Sequence, residues 1–528
     1  MKTILKCILI VFTINATAQK KQLKKSELGG KNWEIPVSKG WKSLQEMEIP
    51  EWMVDAKFGV YTHWGVYSVA AHGGPDYINE LYVAKDAYDK KGVKEYHRQT
   101  YGAIKDFGYI DLIDKFEAKA FDASKWAKLM KNAGAKFGGI CVVHHDGFCL
   151  WDSKYTRWNS KQKGPKKDIY GEIAAAVKAE DMKLIATFHH ARTFGYAYDK
   201  KHMNEYTKEQ KANWDLFDPQ YADFFRNDEV EPQENFGKEW IGKVREVMDN
   251  YEPDVLWFDG LSGAITKNMI PQDTLINIFK DFKAKNSDNV VCNKLPGSRI
   301  WNFPEGVGIR CYEGGRDMEP NPKGYWLIDR AISYPWSYVN NKSYRDKESF
   351  HIRTIIDLVS RGGVYFLSLT PKGDGSISEG EIAIMNGIGD WMDVNGEAIF
   401  ETRKWGTYGH GTAQILKEKK AKKLWYWDYR AIQNEEVRFT RKKDNSAVYA
   451  ISTGWPESGR IILPEIKAEK DFATKGIASI SLLGADEPIN WKITEVGLEI
   501  SLPSKKPCDI AYSFKITPKG KLINYDRE

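Results

Sequence analysis

Histidine and carboxylate side chains stand at the ends of several short apolar segments of this chain. They are His63, the pair His144 and His145, the pair His189 and His190, Asp259 and Glu313. The end of a buried strand needs only turn residues, so this repetition indicates one shared polar site. Imidazoles and carboxylates placed together could bind hydroxyl groups, coordinate a metal or transfer protons.

Two of these carboxylates could carry out acid–base or nucleophilic chemistry. Asp259 follows Leu-Trp-Phe and precedes Gly260, a setting that suits a nucleophile or a metal ligand, although aspartate is equally common as a helix N-cap. Glu313 ends a similar segment, with Glu305 and Glu319 as nearby competitors. A pair of carboxylates at one site predicts glycoside hydrolysis, in which retaining enzymes hold the two groups about 5–5.5 Å apart.

The histidines leave a three-histidine metal site open as an alternative. Neighbouring residues of an extended strand point to opposite faces, so the pairs His144–His145 and His189–His190 give a weaker metal signal than a His-x-His spacing. A neutral imidazole can donate and accept a hydrogen bond at once, which suits sugar hydroxyls. We therefore favour sugar binding and expect neither a metal nor a cofactor.

A barrel would place all of these strand ends at one mouth. The apolar segments occur at 57–65, 136–147, 184–190, 255–260, 290–293, 308–313, 334–338 and 364–370. Amphipathic segments separate several of them, at 121–134, 170–180, 236–250, 274–285 and 345–361, and another follows at 378–395. Eight strands with intervening helices predict a (β/α)₈ TIM-like barrel, with a doubly wound sheet as the alternative.

The pattern changes after residue 399. Short alternating segments at 423–428, 436–440, 446–452 and 459–463 are separated by turn residues, which predicts a C-terminal all-β sandwich over 400–528. The domain organisation that follows is a leader at 1–18, a polar lead-in at 19–50, a catalytic barrel at 51–399 and the sandwich.

The leader has the features of a signal peptide. Lys2 and Lys6 precede an apolar stretch, and Ala-Thr-Ala at 16–18 provides a small-residue cleavage site. We expect an exported protein, periplasmic or secreted. No later apolar stretch is long enough for a membrane span.

Charge and cysteine content argue against a nucleic-acid-binding protein and against a fold stabilised by disulfides or zinc. Removal of the leader lowers the formal net charge of +6 by two, too little for a nucleic-acid footprint. The odd number of remaining cysteines, without a CxxC spacing, argues against a disulfide framework or a zinc site.

Five motifs in order resemble those of glycoside hydrolase family 29, the α-L-fucosidases. They are KFGVYTHWGVYS at 57–68, HHDGFCLW at 144–151, PDVLWFDG at 253–260, GGVYFLSLTPKGDG at 362–375 and WMDVNGEAI at 391–399. The resemblance covers roughly residues 40–400. It implies a retaining enzyme with a barrel followed by a β-sandwich, acting on a glycan substrate without a cofactor.

The resemblance also implies roles for single residues. Asp259 would be the nucleophile, and Glu313 is the acid/base that we choose at the family's least constant position. Sugar-binding roles fall on His63, Glu80, His144, His145, His189, Trp257 and Trp336.

Departures from the family pattern concern the substrate more than the mechanism. Val143 stands where many members have lysine, Leu81 replaces a tryptophan, Leu327 replaces a glutamate, and Asn293 to Leu295 occupies the stretch of a pocket arginine. An altered wall could accept L-galactose, which is L-fucose with a hydroxyl on C6. The leading hypothesis is an exo-α-L-fucosidase. The alternatives are an α-L-galactosidase, a catalytically silent glycan-binding protein and a metal-dependent hydrolase.

Overall fold

Eight parallel strands close into a barrel in chain order. The structure, a computed structural model, describes residues 37–523 except 199, 227–232, 296–300, 316–317, 319–321, 345, 412–415, 420–423, 428–431 and 433–435. The barrel strands are β1 Phe58–Thr62, β2 Phe137–Val143, β3 Lys183–Phe188, β4 Val255–Phe258, β5 Val290–Leu295, β6 Ile309–Glu313, β7 Trp326–Ala331 and β8 Gly363–Leu369. The predicted barrel is confirmed and the doubly wound sheet is wrong. The predicted leader lies outside the described residues.

Helices surround the barrel and follow the predicted amphipathic segments. They are α1 Lys39–Gln45, α2 Glu51–Ala56, α3 Tyr77–Leu81, α4 Val93–Thr100, α5 Tyr109–Lys115, α6 Ala123–Asn132, α7 Ile169–Ala179, α8 Lys208–Asn213, α9 Ala222–Phe225, α10 Gln233–Asn250, α11 Leu261–Thr266, α12 Gln272–Lys285, α13 Glu348–Ser360 and α14 Glu379–Asn395. Asp122 caps α6 as predicted, accepting from the Lys125 amide. The polar lead-in contains α1, which the sequence pattern did not reveal.

One predicted strand is wrong. The segment 334–338 is a loop, and the seventh strand lies before it at Trp326–Ala331. Pro335 lacks the backbone N–H that a central strand needs. In β7, Asp329 and Arg330 interrupt the apolar pattern and hide the strand.

The inward-facing residues of the barrel form an apolar layer beneath a polar layer. Tyr61, Trp257, Cys292, Cys311 and Leu327 belong to one buried cluster inside the barrel. Two residues further along the same strands, and therefore on the same face, come polar side chains. These are His63, Asp259, Lys294, Glu313 and Asp329. The barrel thus delivers one polar side chain from each of these five strands to a common mouth.

The C-terminal region consists of antiparallel sheets, as predicted. Its strands are β9 Thr402–Arg403, β10 Gly409–His410, β11 Leu416–Lys419, β12 Leu424–Trp427, β13 Val437–Lys442, β14 Val448–Ser452, β15 Arg460–Leu463, β16 Ile477–Leu482, β17 Trp491–Thr494, β18 Gly497–Ser501 and β19 Tyr512–Pro518, with a short helix α15 at Glu469–Phe472. The sheet of β10, β13, β14, β19 and β16 and the sheet of β15, β18 and β17 share one apolar core.

Two further predictions concern membrane spans and disulfides. No helix among them is both long and apolar enough to cross a membrane. The five cysteines that the structure describes are free thiols, and four of them are buried. No disulfide framework therefore forms within the described part of the chain.

Candidate active site

Three buried imidazoles form the centre of the site. The ring of His63 lies 5.6 Å from that of His144 and 4.9 Å from that of His189, and the His144 and His189 rings are 4.9 Å apart. Burial lowers the pKa of His63 to about 3 and lowers the pKa of His144 and His189 as well. Neutral rings result, and they can donate and accept hydrogen bonds to hydroxyl groups.

The two histidine pairs differ in the directions of their rings. The rings of His144 and His145 lie 4.4 Å apart and both face the site, so the predicted opposite orientation is wrong here. The reason is that β2 ends at Val143, before the pair begins. The second pair does diverge, with His190 stacked outward on Trp240, but β3 likewise ends at Phe188, before that pair begins.

This local geometry affects the metal alternative. One ligand atom each from His63, His144 and His189 lies within 4.8 Å of the others. The three imidazoles therefore suit a metal ion as well as sugar hydroxyls, although the sequence spacing favoured hydroxyls.

Asp259 follows β4 and is held by positive charge. Lys294 Nζ lies 2.9 Å from its Oδ1, and His145 Nε2 lies 3.5 Å from its Oδ2. Burial by itself would raise the pKa of Asp259, but Lys294, His145 and Arg192 together outweigh burial and the pKa falls to about 2. Asp259 is therefore an ionised carboxylate at neutral pH, as a nucleophile must be. The helix N-cap alternative finds no support, since Gly260 occupies the N-cap position of α11.

Lys294 connects Asp259 with two further carboxylates. Its Nζ lies 3.5 Å from Glu313 Oε2 and 3.5 Å from Asp329 Oδ2. Burial alone would lower the pKa of Lys294, but Asp259, Asp329 and Glu313 raise it well above its ordinary value. One permanent ammonium thus holds three carboxylates at the barrel mouth, and the network carries excess negative charge.

Glu313, the predicted acid/base, lies at the barrel mouth. It ends β6 at the mouth, and its side chain keeps 17% exposure beside Lys294. Glu305 precedes β6 at the opposite end of that strand, is exposed and pairs with Arg310. Glu319 lies outside the described residues.

Asp329 is the neighbour of Glu313 in the sheet. The two residues are paired in register between β6 and β7, so their side chains point to the same face. Asp329 is fully buried, and burial raises its pKa to about 6, with Glu313 adding to the effect. Burial and the neighbouring carboxylate of Glu313 thus favour retention of a proton on Asp329.

Aromatic side chains form the floor and one wall of the site. Trp257 is fully buried, and its ring lies 5.0 Å from His189 and 4.5 Å from Lys294 Nζ. It supports the polar layer from below. Trp336, on the loop after β7, is half-buried with its ring 5.0 Å from that of His63, as expected for a pocket wall.

Glu80 lies at the rim, outside the histidine cluster. Its carboxylate is 3.5 Å from Lys91, which also contacts Asp76 at 3.1 Å. Asp76 accepts a hydrogen bond from the Tyr196 hydroxyl, and the Tyr196 ring packs 4.9 Å from His145. Glu80 is therefore connected with His145, the neighbour of Asp259, through a continuous chain of contacts.

Sequence reasoning missed the roles of Lys294, Asp329 and Arg192. The first two were detectable, because Cys292-x-Lys294 and Leu327-x-Asp329 repeat the spacing of Trp257-x-Asp259. Arg192 was not, because its position depends on tertiary packing. Its side chain passes Gly260, where a Cβ would lie 2.5 Å from Arg192 Cδ, and Gly260 has φ +64°. Gly260 is thus required by the backbone conformation and by the passage of Arg192.

Comparison with known families identifies two regions of the chain. The family model described as Alpha-L-fucosidase matches residues 30–397, and the model described as Alpha-L-fucosidase C-terminal domain matches residues 431–517. The plasma α-L-fucosidase of Homo sapiens is 27% identical over 498 residues, covering 90% of this chain and 91% of that protein. The tissue α-L-fucosidase of Homo sapiens is 28% identical over 501 residues, with the same coverage.

Solved structures give the same result. The Thermotoga maritima α-fucosidase in complex with fucose has a TM-score of 0.66 and 26% identity, covering 90% of this chain and 99% of that one. A Bacteroides thetaiotaomicron α-L-fucosidase of family 29 has a TM-score of 0.62 and 21% identity, covering 89% and 95%, and supports the fold alone.

Proposed function

The chain belongs to the α-L-fucosidase family, glycoside hydrolase family 29, and we propose that it is an exported retaining exo-glycosidase that releases terminal α-L-fucose from glycans. The enzyme class follows from the family. The retaining mechanism, the roles of single residues and the export are our proposals. The observation that best supports the mechanism and the residue roles is the ionised Asp259 at the same ammonium as Glu313, beside three neutral imidazoles.

The first half of the reaction would form a covalent intermediate. Asp259 attacks C1 of the fucosyl group while Glu313 gives its proton to the departing oxygen, so that the leaving group departs as an alcohol. Lys294 helps to keep Asp259 ionised, and Glu313 lies in register beside Asp329, whose own pKa is raised to about 6 by burial.

The second half would release the sugar. Glu313, now ionised, takes a proton from water, and the resulting oxygen attacks C1 and displaces Asp259. Two displacements at the same carbon return the α-anomer. His63, His144 and His189 would hold the sugar hydroxyls during both steps, because buried neutral imidazoles can donate and accept.

Substrate and stereochemistry can be tested together on the purified enzyme. Hydrolysis of p-nitrophenyl α-L-fucoside, followed by NMR, should give α-L-fucose as the first product. Release of the β-anomer would contradict double displacement. Faster turnover of the matched α-L-galactoside would move the assignment to L-galactose, and no turnover of either substrate would favour a glycan-binding protein.

The metal alternative needs a separate test, since the three histidines also suit a metal ion. Activity should survive exhaustive chelation and dialysis. The variant His144→Ala should still fold and should lose about 1–3 kcal/mol of transition-state stabilisation, as expected when a buried polar partner is removed. Loss of activity with a stoichiometric metal, and its restoration by adding the metal back, would overturn the hydroxyl-binding role.

Export is supported by the sequence of residues 1–18 alone. Expression of the full chain in a bacterial host should yield a periplasmic or secreted product whose N-terminus is Gln19. A product that remains in the cytoplasm with its first 18 residues attached would contradict export.

A further inference from the structure

Tyr334 has an unusual degree of exposure for an aromatic side chain. With 78% of its surface exposed, it is the most exposed large hydrophobic side chain in the described part of the chain. Two other exposed tyrosines pack on neighbours. Tyr408 lies 3.6 Å from the Arg361 guanidinium, and Tyr155 lies so close to Gly242 that a Cβ there would clash with its ring.

The loop that carries Tyr334 reaches directly into the site. Trp336, two residues further along, packs 5.0 Å from the His63 ring and 5.9 Å from Lys294 Nζ. Pro335, between the two aromatic residues, lies against Gly74 in the loop after β1, 3.1 Å from where a Cβ would stand. Tyr334 therefore projects from the mouth of the pocket on the outer side of the Trp336 wall.

This loop is fixed on both sides. The Lys342 ammonium donates to the carbonyls of Pro335 and Ser337 at 2.7 and 2.8 Å, and to the Thr370 hydroxyl at 2.8 Å. The Asn340 amide donates to the Ala71 carbonyl at 2.7 Å. An aromatic side chain on a loop that is already ordered loses little conformational freedom when it binds a ligand.

Polar groups stand beside the exposed ring. Lys91 contacts Asp76 at 3.1 Å and Glu80 at 3.5 Å. Burial lowers the pKa of Lys91, but Asp76, Glu80 and the nearby Tyr334 raise it above its ordinary value. The rim thus combines an apolar ring face with a charged donor and two carboxylate acceptors, which is the chemistry that binds a pyranose.

We propose that Tyr334 forms the stacking surface of a leaving-group subsite, which binds the pyranose to which the terminal fucose is attached. The inference rests on the proposed function, since a fucosyl group bound at Asp259 directs its C1 substituent toward the mouth. The leaving sugar would lay its C–H face on the Tyr334 ring and direct hydroxyls toward Lys91 and Asp76.

The test compares two substrates that share the fucosyl group and differ in the leaving group. α-L-Fucosyl fluoride has no leaving-group ring, whereas α-L-fucosyl-(1→2)-, (1→3)- and (1→4)-galactose have a pyranose. We expect Tyr334→Ala to lower kcat/KM by about tenfold for the disaccharide that the wild type cleaves best and to leave the fluoride unchanged. Tyr334→Trp should retain or increase the disaccharide rate. The control Tyr155→Ala should change neither rate.

Each remaining outcome overturns the inference in a distinguishable way. An equal loss on the fluoride and the disaccharide would mean that Tyr334 supports the Trp336 loop instead of binding the leaving sugar. Unchanged rates on both would remove Tyr334 from substrate binding. Wild-type turnover of the fluoride without any disaccharide would reject a pyranose subsite and leave the proposed function standing. Wild-type failure on every substrate would reject the proposed function itself.

Discussion

Two buried clusters of charged side chains lie in different parts of this molecule and are built differently. At the barrel mouth, the single ammonium of Lys294 contacts the carboxylates of Asp259, Glu313 and Asp329. Between the barrel and the C-terminal sheet, Asp357 of α13 pairs with Arg361 at 3.0 Å and with Arg438 of β13 at 2.8 Å, and Arg438 pairs with Glu436 at 2.8 Å. The second cluster therefore balances two carboxylates with two guanidinium groups, whereas the first leaves negative charge in excess.

The pKa values follow this difference. Burial would raise the pKa of Asp357, but Arg361 and Arg438 outweigh it and lower the pKa. Burial raises the pKa of Asp329 to about 6, since Lys294 offsets burial only in part and the carboxylates of Glu313 and Asp259 add to the rise. The balanced cluster joins two domains, whereas the unbalanced one keeps Asp259 ionised and favours a proton on Asp329, and opposite pKa shifts of this kind are typical of active sites. The following predictions test this division of roles.

The largest effect is expected at Asp259. Asp259→Ala should lower kcat by on the order of 10³ or more, because covalent catalysis is lost, and added azide should restore turnover as an external nucleophile. The matched control is Asp254→Ala, since Asp254 precedes the same strand at its other end and pairs with Lys183. Near-wild-type kcat in Asp259→Ala would remove this residue from the mechanism.

Asp357→Asn should act on stability and leave catalysis intact. Removal of one partner leaves two buried guanidinium groups short of negative charge, which should reduce the free energy of unfolding by about 3–5 kcal/mol. Urea unfolding measures this loss, and kcat should be unchanged at temperatures where the variant is folded. A large fall in kcat of the folded variant would contradict the division between the two clusters.

The loss of rate caused by Glu313→Ala should depend on the leaving group of the substrate. Natural glycosides have poor leaving groups, so loss of the general acid should reduce their cleavage by on the order of 10²–10³, with a much smaller effect on aryl glycosides. The aryl-substrate pH profile should also lose its basic limb. Glu305→Ala, at the opposite end of β6, is the control. Leaving-group dependence in Glu305→Ala or Glu319→Ala, but not in Glu313→Ala, would assign the proton to another residue.

The smallest effect is expected for Asp329→Asn, and it depends on pH. A raised folded-state pKa favours folding below the unfolded value near 3.8, and this contribution disappears as the pH rises through about 6. Between pH 4 and pH 8, the contribution of Asp329 to the free energy of unfolding of the wild type therefore falls by up to about 3 kcal/mol. The variant has no such contribution to lose. Unfolding at both pH values measures the difference. If Asp329→Asn changes the free energy of unfolding by the same amount at pH 4 and at pH 8, the unbalanced charge is rejected.

The opposite pH dependence of Asp357 provides a further comparison. Its lowered pKa contributes stability that is present above the unfolded value and is lost as the pH falls. Asp329→Asn should therefore change the free energy of unfolding mainly at low pH, and Asp357→Asn should change it mainly above the unfolded pKa.

Much of the barrel could be predicted from sequence because strands buried on both faces leave continuous apolar segments. The same signal failed at β7, where Asp329 points inward and Arg330 follows it. Asp259 and Glu313 could be found as the first polar residues after apolar strands. Their shared contact with Lys294 could not, because it depends on the register of β5 against β6, which is set by tertiary packing.

The histidine pairs show a second limit of sequence reasoning. The face on which a side chain lies follows from alternation only as long as the strand continues, and β2 ends one residue before His144. β3 also ends one residue before its pair, at Phe188, so strand alternation applies to neither pair, and the loops after the two strands set the directions of all four rings.

Trapping of the covalent intermediate tests the central claim, that Asp259 is the nucleophile of a retaining α-L-fucosidase. The purified enzyme would be incubated with 2-deoxy-2-fluoro-α-L-fucosyl fluoride, in which fluorine at C2 slows the second displacement. Intact mass and peptide mapping would then locate the label. We predict one fluorofucosyl group per chain, attached at Asp259, with loss of activity in parallel. Labelling of a different carboxylate, or turnover of the compound through direct inversion without any adduct, would contradict this account.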